Sequence, residues 1–146
     1  MTTHPNLCYR YEGNGPCVVF IMGIGAQLIH WPDEFCQHFI DAGYSVLRFD
    51  NRDAGLSKLW ENDKRLNIPL LLLRRFLGLK ITAQYNLEDM ADDVDGLLTH
   101  LNIEEAHVVG ISMGSMIAQI FASKYASRTK SLSLFMSNTG EIRTLV

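Results

Sequence analysis

The chain has 146 residues, 47% of them hydrophobic and 20% charged, which is enough for one domain with a sizeable buried core. A formal net charge of −3 at pH 7 argues against a nucleic-acid partner, because such partners require a clustered basic surface. Residues 1–6 lack the charged and apolar regions of a signal peptide. The most apolar stretch, Ile68 to Ile81, contains three basic residues and is shorter than the roughly 20 residues that span a bilayer. We therefore expect a cytoplasmic protein without a membrane partner.

In the first half of the chain, short apolar runs alternate with a helical pattern. Leu7 to Tyr11 alternates as a strand does, and Cys17 to Met22 is the continuous apolar run of a strand covered on both faces. A glycine-rich loop, Gly23-Ile24-Gly25, then breaks the run. Pro32 to Ala42 is predicted to be a helix, with proline in its first turn and a glycine placed to end it. Ser45 to Phe49 is predicted to be the next strand.

The strongest helix signal begins at Asn86, which can cap a helix whose first turn carries two acidic residues. Seven apolar residues then recur on one face at spacings of three and four: Leu87, Met90, Ala91, Val94, Leu97, Leu98 and Leu101. Asp92, Asp93 and Asp95 lie off that face. We interpret them as a solvated surface rather than a metal site, because metal carboxylates must converge on one point.

The second half ends with another strand, helix and strand, predicted at Ala106 to Ile111, Met113 to Tyr125 and Ser131 to Met136. This regular alternation is typical of an α/β fold in which a mostly parallel sheet is flanked by helices in three layers. No repeat or linker interrupts it, so we expect one domain. The three cysteines, Cys8, Cys17 and Cys36, match neither metal-ligand nor redox spacing. We therefore expect reduced thiols, no metal and no cofactor.

The sequence Gly110-Ile111-Ser112-Met113-Gly114 has the spacing G-x-S-x-G. By itself this pattern is weak, but here it joins a buried apolar strand to a helix, which is the setting of a nucleophilic serine on a sharp turn. Glycines two residues away on either side remove side chains that would collide where strand and helix cross. The alternative is a serine that merely caps a helix after a strand.

A serine hydrolase also needs backbone N–H donors for the oxyanion that forms when the serine attacks. One donor normally follows the serine and the other comes from a loop after an earlier strand. We expect the N–H groups of Met113 and Ile24 to be these donors. The alternative is that the loop at Met22 to Gln27 is a plain turn.

Five segments in this order resemble the α/β-hydrolase superfamily, and they are most similar to its esterase branch around aclacinomycin methylesterase. They are Met22 to Gln27, Trp31 to Phe35, Phe49 to Ser57, Asn86 to Asp93 and Val108 to Gln119. The resemblance implies Ser112 as the nucleophile and oxyanion donors at Ile24 and Met113. It also implies a structural role for the turn that contains Asp50, Arg52 and Asp53.

In the α/β-hydrolase fold the catalytic acid and histidine follow the serine in the chain. Residues 113–146 contain no histidine and no aspartate, and Glu141 is their single carboxylate side chain. Of the histidines before Ser112, His30 lies nearest to the glycine loop, and we interpret it as a packing or surface residue. Residues 1–146 are thus expected to be the amino-terminal part of such a domain, without its lid and carboxy-terminal strands.

Three functions remain open from the sequence. The first is a serine hydrolase of small-molecule carboxylic esters that is truncated and inactive as this chain alone. The second is a non-catalytic binding or self-associating module. Whichever function holds, we expect the exposed last strand, Ser131 to Met136, to form a homo-oligomer. The third is a haloperoxidase-like or carbon–carbon bond hydrolase relative, because the same serine turn serves those reactions.

Overall fold

A computed structural model describes residues 7–57 and 85–138, which include a five-stranded sheet. Its strands are β1 (Tyr9–Gly13), β2 (Cys17–Ile21), β3 (Ser45–Phe49), β4 (Ala106–Ile111) and β5 (Thr129–Phe135), in the spatial order β1-β3-β2-β4-β5. β1 pairs with β3 in antiparallel fashion, and the other pairs are parallel. The carboxyl ends of β2, β3, β4 and β5 therefore meet at one edge of the sheet, where ligands bind in open α/β folds.

Helices cover both faces of the sheet. α1 (Asp33–Asp41) packs on one face, where it covers a cluster that includes Val18, Phe20 and Val46. α2 (Leu87–His100) and α3 (Met113–Lys124) pack on the other face over a larger cluster from β2, β3 and β4. Two short 3₁₀ turns lie at Leu28–His30 and Ala126–Arg128. The predicted three-layer α/β architecture with a mostly parallel sheet is confirmed.

The predicted element boundaries are close to those in the structure. α1 begins after Pro32, and the chain leaves it through Gly43 at φ +85°. The side chain of Asn86 accepts hydrogen bonds from the N–H groups of Glu88 (2.7 Å) and Asp89 (3.0 Å), as expected of a helix cap. The largest shifts are of two residues: β1 begins at Tyr9 rather than Leu7, and β5 begins at Thr129 rather than Ser131. The apolar stretch Ile68 to Ile81 lies outside the described residues.

Asp92, Asp93 and Asp95 of α2 do not form a uniformly solvated surface. Asp93 is only 8% exposed, and both of its carboxylate oxygens accept hydrogen bonds from Arg52, at 2.6 and 2.8 Å. Burial raises the pKa of the Asp93 carboxyl, and the hydrogen bonds from Arg52 oppose that rise. Asp92 pairs with Lys124, and Asp95 pairs with Arg128. The prediction of a solvated surface was therefore wrong for Asp93. Arg52, the cation that pairs with this buried carboxylate, lies 41 residues away in the sequence, in the turn after β3.

Within residues 7–57 and 85–138, no group of three potential ligand side chains is placed to hold a metal ion. None of the helices in these ranges is both long enough and apolar enough to cross a bilayer.

Candidate active site

Ser112 lies in the turn that joins β4 to α3, with φ +55° and ψ −123°. A positive φ is sterically unfavourable for any residue with a side chain. Holding a serine in a sparsely populated region of this kind costs on the order of 1–3 kcal/mol and requires support from the surrounding structure. Ser112 is exposed. The turn thus presents a strained, accessible serine at the carboxyl edge of the sheet.

The glycines on either side of Ser112 allow the strand and the helix to cross closely. A Cβ atom at Gly110 would overlap the carbonyl oxygen of Gly114, and a Cβ atom at Gly114 would overlap the carbonyl oxygen of Ile21 in β2. A Cβ atom at either glycine would therefore collide with the backbone. The G-x-S-x-G spacing reflects contacts of α3 with both β4 and β2.

The glycine loop after β2 packs against Ser112. A Cβ atom at Gly23 would lie 3.2 Å from the Cβ atom and 3.6 Å from the Oγ atom of Ser112, so a side chain at Gly23 would crowd the serine. The structure therefore brings together the two segments that the sequence singled out. Gly23 itself was not singled out as a site residue. Its position directly after the predicted strand Cys17 to Met22 was a signal, because glycine permits a close approach of neighbouring groups.

Each of the two expected oxyanion donors directly follows one of these contacting residues in the sequence. Ile24 follows Gly23, and Met113 follows Ser112 as the first residue of α3. Neither backbone N–H donates a hydrogen bond to another described residue, and the Ile24 side chain is 80% exposed. Neither N–H group is thus engaged by the described residues, and their role as oxyanion donors stays a prediction.

Two buried residues after β3 hold the glycine loop in place. The carboxylate of Asp50 accepts hydrogen bonds from the N–H groups of Leu28 (2.7 Å) and Leu56 (2.9 Å). The side-chain amide of Asn51 donates to the carbonyl oxygen of Met22 at 2.9 Å. These bonds join the loop after β2 to the turn after β3, so Asp50 acts as a scaffold. Asn51 was missed from the sequence, because nothing local marks an amide that reaches a neighbouring strand.

Arg52, in the same turn, is anchored to α2. Besides its pair with Asp93, it donates to the carbonyl oxygen of Asp89 at 2.9 Å, and its guanidinium lies 5.0 Å from the centre of the Tyr85 ring. Its protons are engaged in structural contacts, which agrees with the structural role that the resemblance implies.

No histidine of the described residues hydrogen-bonds Ser112. The Nδ1 atom of His30 lies 2.9 Å from the backbone nitrogen of Gln27 and caps the turn at Leu28–His30. His30 is exposed, as expected of a surface residue. His107 lies 2.7 Å from the Ser131 hydroxyl, and His100 lies beside Tyr9. The described residues thus place a serine at the sheet edge without a base bonded to it.

Comparison with known proteins agrees with this geometry. The family model for the α/β-hydrolase fold matches residues 16–144. Rhodomycin D methylesterase DnrP of Streptomyces peucetius is 27% identical over 125 residues, which cover 86% of this chain and 36% of that protein.

Two solved structures are also similar. The crystal structure of BpoC from Mycobacterium tuberculosis H37Rv, whose name carries the term non-heme bromoperoxidase, has a TM-score of 0.68 at 31% identity, over 88% of this chain and 40% of that one. A thermophilic esterase from Thermogutta terrifontis has a TM-score of 0.66 at 26% identity, over 88% and 39%. The chain spans well under half the length of these relatives. It belongs to the α/β-hydrolase family.

Proposed function

We propose that this chain carries the serine nucleophile and the oxyanion donors of a carboxylic ester hydrolase. The observation that carries the proposal is Ser112 in a strained, exposed strand-to-helix turn, with Gly23 of the β2 loop packed against it. A serine that only caps a helix has no need of a positive φ, since capping residues adopt extended backbone angles.

The chemistry follows from this arrangement. The Ser112 Oγ attacks the ester carbonyl carbon while a base removes the hydroxyl proton, and the carbonyl oxygen gains a negative charge. The free N–H groups of Ile24 and Met113 and the amino end of α3 favour that charge. The alcohol then leaves with a proton, and water hydrolyses the acyl-enzyme. As the substrate we propose a small-molecule carboxylic ester.

Two of the relatives, a methylesterase and an esterase by name, support the ester class. The similarity to BpoC keeps a haloperoxidase-like activity as the second candidate. A panel of activated esters, followed by a bromination assay with peroxide and a carboxylic acid, separates the two. Ester turnover without bromination supports the proposal.

Fluorophosphonate labelling tests the nucleophile in a protein that carries this chain together with its downstream sequence. Peptide mass spectrometry is expected to find the label on Ser112, and Ser112→Ala is expected to lose ester turnover by about a thousandfold or more. Ser123→Ala is a matched control, since Ser123 is an exposed serine near the carboxyl end of α3, away from the turn at Ser112. A label on another residue, or unchanged turnover in Ser112→Ala, would contradict the assignment.

The 146-residue chain by itself is proposed to be nearly inactive on esters, because none of residues 7–57 and 85–138 places a base in hydrogen-bond contact with Ser112. Turnover of an activated acetyl ester is expected to stay well below about 1 s⁻¹, the lower end for working enzymes. His30→Ala tests the nearest candidate base in the sequence. Turnover above that level which is lost in both Ser112→Ala and His30→Ala would show that His30 acts as the base for Ser112 and would contradict the proposal.

A further inference from the structure

The side-chain amide of Gln119 joins α3 to the segment that follows β5. Its Nε2 atom lies 2.8 Å from the Ser137 hydroxyl, 3.2 Å from the carbonyl oxygen of Asn138 and 3.3 Å from that of Ser115. Two of these three partners can only accept hydrogen bonds, so the nitrogen end of the amide faces them. The amide therefore bridges the second turn of α3 and the end of the edge strand.

Both peptide groups of Ser112 are held by residues of the same region. Its N–H donates to the carbonyl oxygen of Phe135, the last residue of β5, at 2.9 Å. Its carbonyl oxygen accepts from the N–H of Ser115 at 2.9 Å and from the Ser115 hydroxyl at 2.5 Å. Ser115 is completely buried. The strained backbone of Ser112 is thus fixed on one side by β5 and on the other by α3.

Apolar packing contributes little to holding the end of β5. Phe135 is 54% exposed and Met136 is 81% exposed, and Met136 adopts φ +52°. Segments with few buried apolar contacts open readily unless polar contacts hold them. The hydrogen bonds of Gln119 tie the residues after β5 to α3.

We infer that Gln119 and Ser115 are positioning residues for Ser112. Together with Phe135 and Ser137 they form what we call the α3–β5 clasp, a ring of hydrogen bonds that runs through both peptide groups of Ser112. By fixing the Phe135 carbonyl, Gln119 keeps the serine turn in its strained conformation. The inference rests on the proposed function only in that the position of the Ser112 hydroxyl matters for catalysis.

Amide hydrogen exchange in the 146-residue chain tests the clasp without any catalysis. Gln119→Met keeps the size of the side chain but removes its donor, and Ser137→Ala removes its nearest acceptor from an exposed site. Each is expected to speed exchange of the Ser112 amide by about fivefold, the factor that corresponds to one net hydrogen bond. Gln37→Met is the matched control, because Gln37 bonds only Asp41 within α1. Unchanged Ser112 exchange in both clasp variants would overturn the inference.

The double variant distinguishes a shared bond from two independent losses. If Gln119 and Ser137 act through one contact, the Ser112 amide is expected to exchange no faster in the double variant, Gln119→Met plus Ser137→Ala, than in either single variant. Effects that multiply would show that the residues act separately, and the clasp would then be rejected. Thermal unfolding of each variant identifies any change that comes from global destabilisation, and Ser137→Ala is expected to leave it unaltered.

Alkylation of the thiol introduced by Ser112→Cys links the clasp to reactivity. A thiolate at this position is favoured by the amino end of α3 and by the free N–H groups, so the alkylation rate, followed by peptide mass spectrometry across pH, is expected to rise at lower pH than for an unstructured cysteine peptide. Adding Gln119→Met is expected to slow alkylation at neutral pH by about fivefold. An ordinary pH profile in Ser112→Cys alone would contradict the proposed anion site, while the exchange experiment would still decide on the clasp.

Discussion

The two edge strands of the sheet differ in how their outer sides are protected. β1 carries Arg10 and Glu12, which join Arg48 and Asp33 in one network of ion pairs. β5 carries no such network along its centre. Instead, Leu132 and Leu134 are 38% and 37% exposed, and all of its residues except the first are exposed.

Charged side chains on an edge strand oppose pairing with another strand, whereas an exposed apolar edge invites it. Leu132 and Leu134 lie beside Val108 and Gly110 of β4 and share the face under α3, while Phe135 lies beside Ile111 on the opposite face. Apolar groups are therefore open on both sides of β5. We propose that this chain associates with a second copy through β5, and that β1 does not pair with another strand at its open edge.

Removal of Arg48 is expected to have the largest effect on the fold. The side chain is 1% exposed and donates to the carbonyl oxygen of Trp31, to Asp33 and to Glu12, each at 2.7 Å. Arg48→Met is expected to lower the free energy of unfolding by about 3 kcal/mol, since it breaks a largely buried ion-pair network. Urea titration measures the loss. The control Arg10→Met removes a half-exposed member of the network and is expected to cost much less; equal losses would contradict a special role for the buried guanidinium.

A charge placed on β5 tests the contrast between the two edges. Leu134→Lys is expected to weaken self-association at least about tenfold, because a lysine on an open edge disfavours strand pairing. The matched control is Tyr11→Lys on β1, where the side chain is 40% exposed. Light scattering at tens of micromolar, roughly the range in which open edges associate, compares the variants. A monomeric parent chain, or equal effects of the two substitutions, would refute the proposed interface.

The backbone strain at Ser112 predicts a difference between two small substitutions. Glycine adopts φ +55° freely, whereas alanine meets the same steric penalty as serine. The free energy of unfolding of Ser112→Gly is therefore expected to be about 1 kcal/mol higher than that of Ser112→Ala. The same pair at Ser131, in extended β5, is the control, and there glycine is expected to be the less stable. The same order at both positions would show that the turn is not strained.

The smallest expected effect is a pH dependence at the β1 edge. The hydrogen bond from Arg48, aided by the charge of Arg10, lowers the pKa of the Asp33 carboxyl from its ordinary 3.8. A carboxyl whose pKa is lower in the folded state stabilises the fold above the unfolded pKa, and that contribution is lost as the pH falls through the folded pKa. The melting temperature is therefore expected to fall less in Asp33→Asn than in the parent between about pH 5 and pH 3. Glu34→Gln, in the same turn of α1, is the control, since Glu34 forms no ion pair with a described residue.

Local features of the sequence were sufficient to predict the order of elements and the turn at Ser112. Asn86 caps α2 through residues two and three positions away, and the glycines at 110 and 114 act on their immediate neighbours. Such signals depend on short stretches of chain, and the sequence displays them directly. The spacing G-x-S-x-G predicted the strand-to-helix turn at Ser112 for the same reason, and the role of Ser112 as nucleophile stays a prediction.

Only the tertiary structure decided which polar residues are buried and what they hold. Arg48 lies in a strand that is buried throughout, and Asp93 meets Arg52 from 41 residues away. In the sequence, nothing distinguishes Gln119 from an ordinary helix residue. Its amide contacts the residues after β5 only in the folded structure. A buried polar group is tolerated because its partner neutralises or hydrogen-bonds it. Those partners are distant in the chain, so the fold alone brings them together.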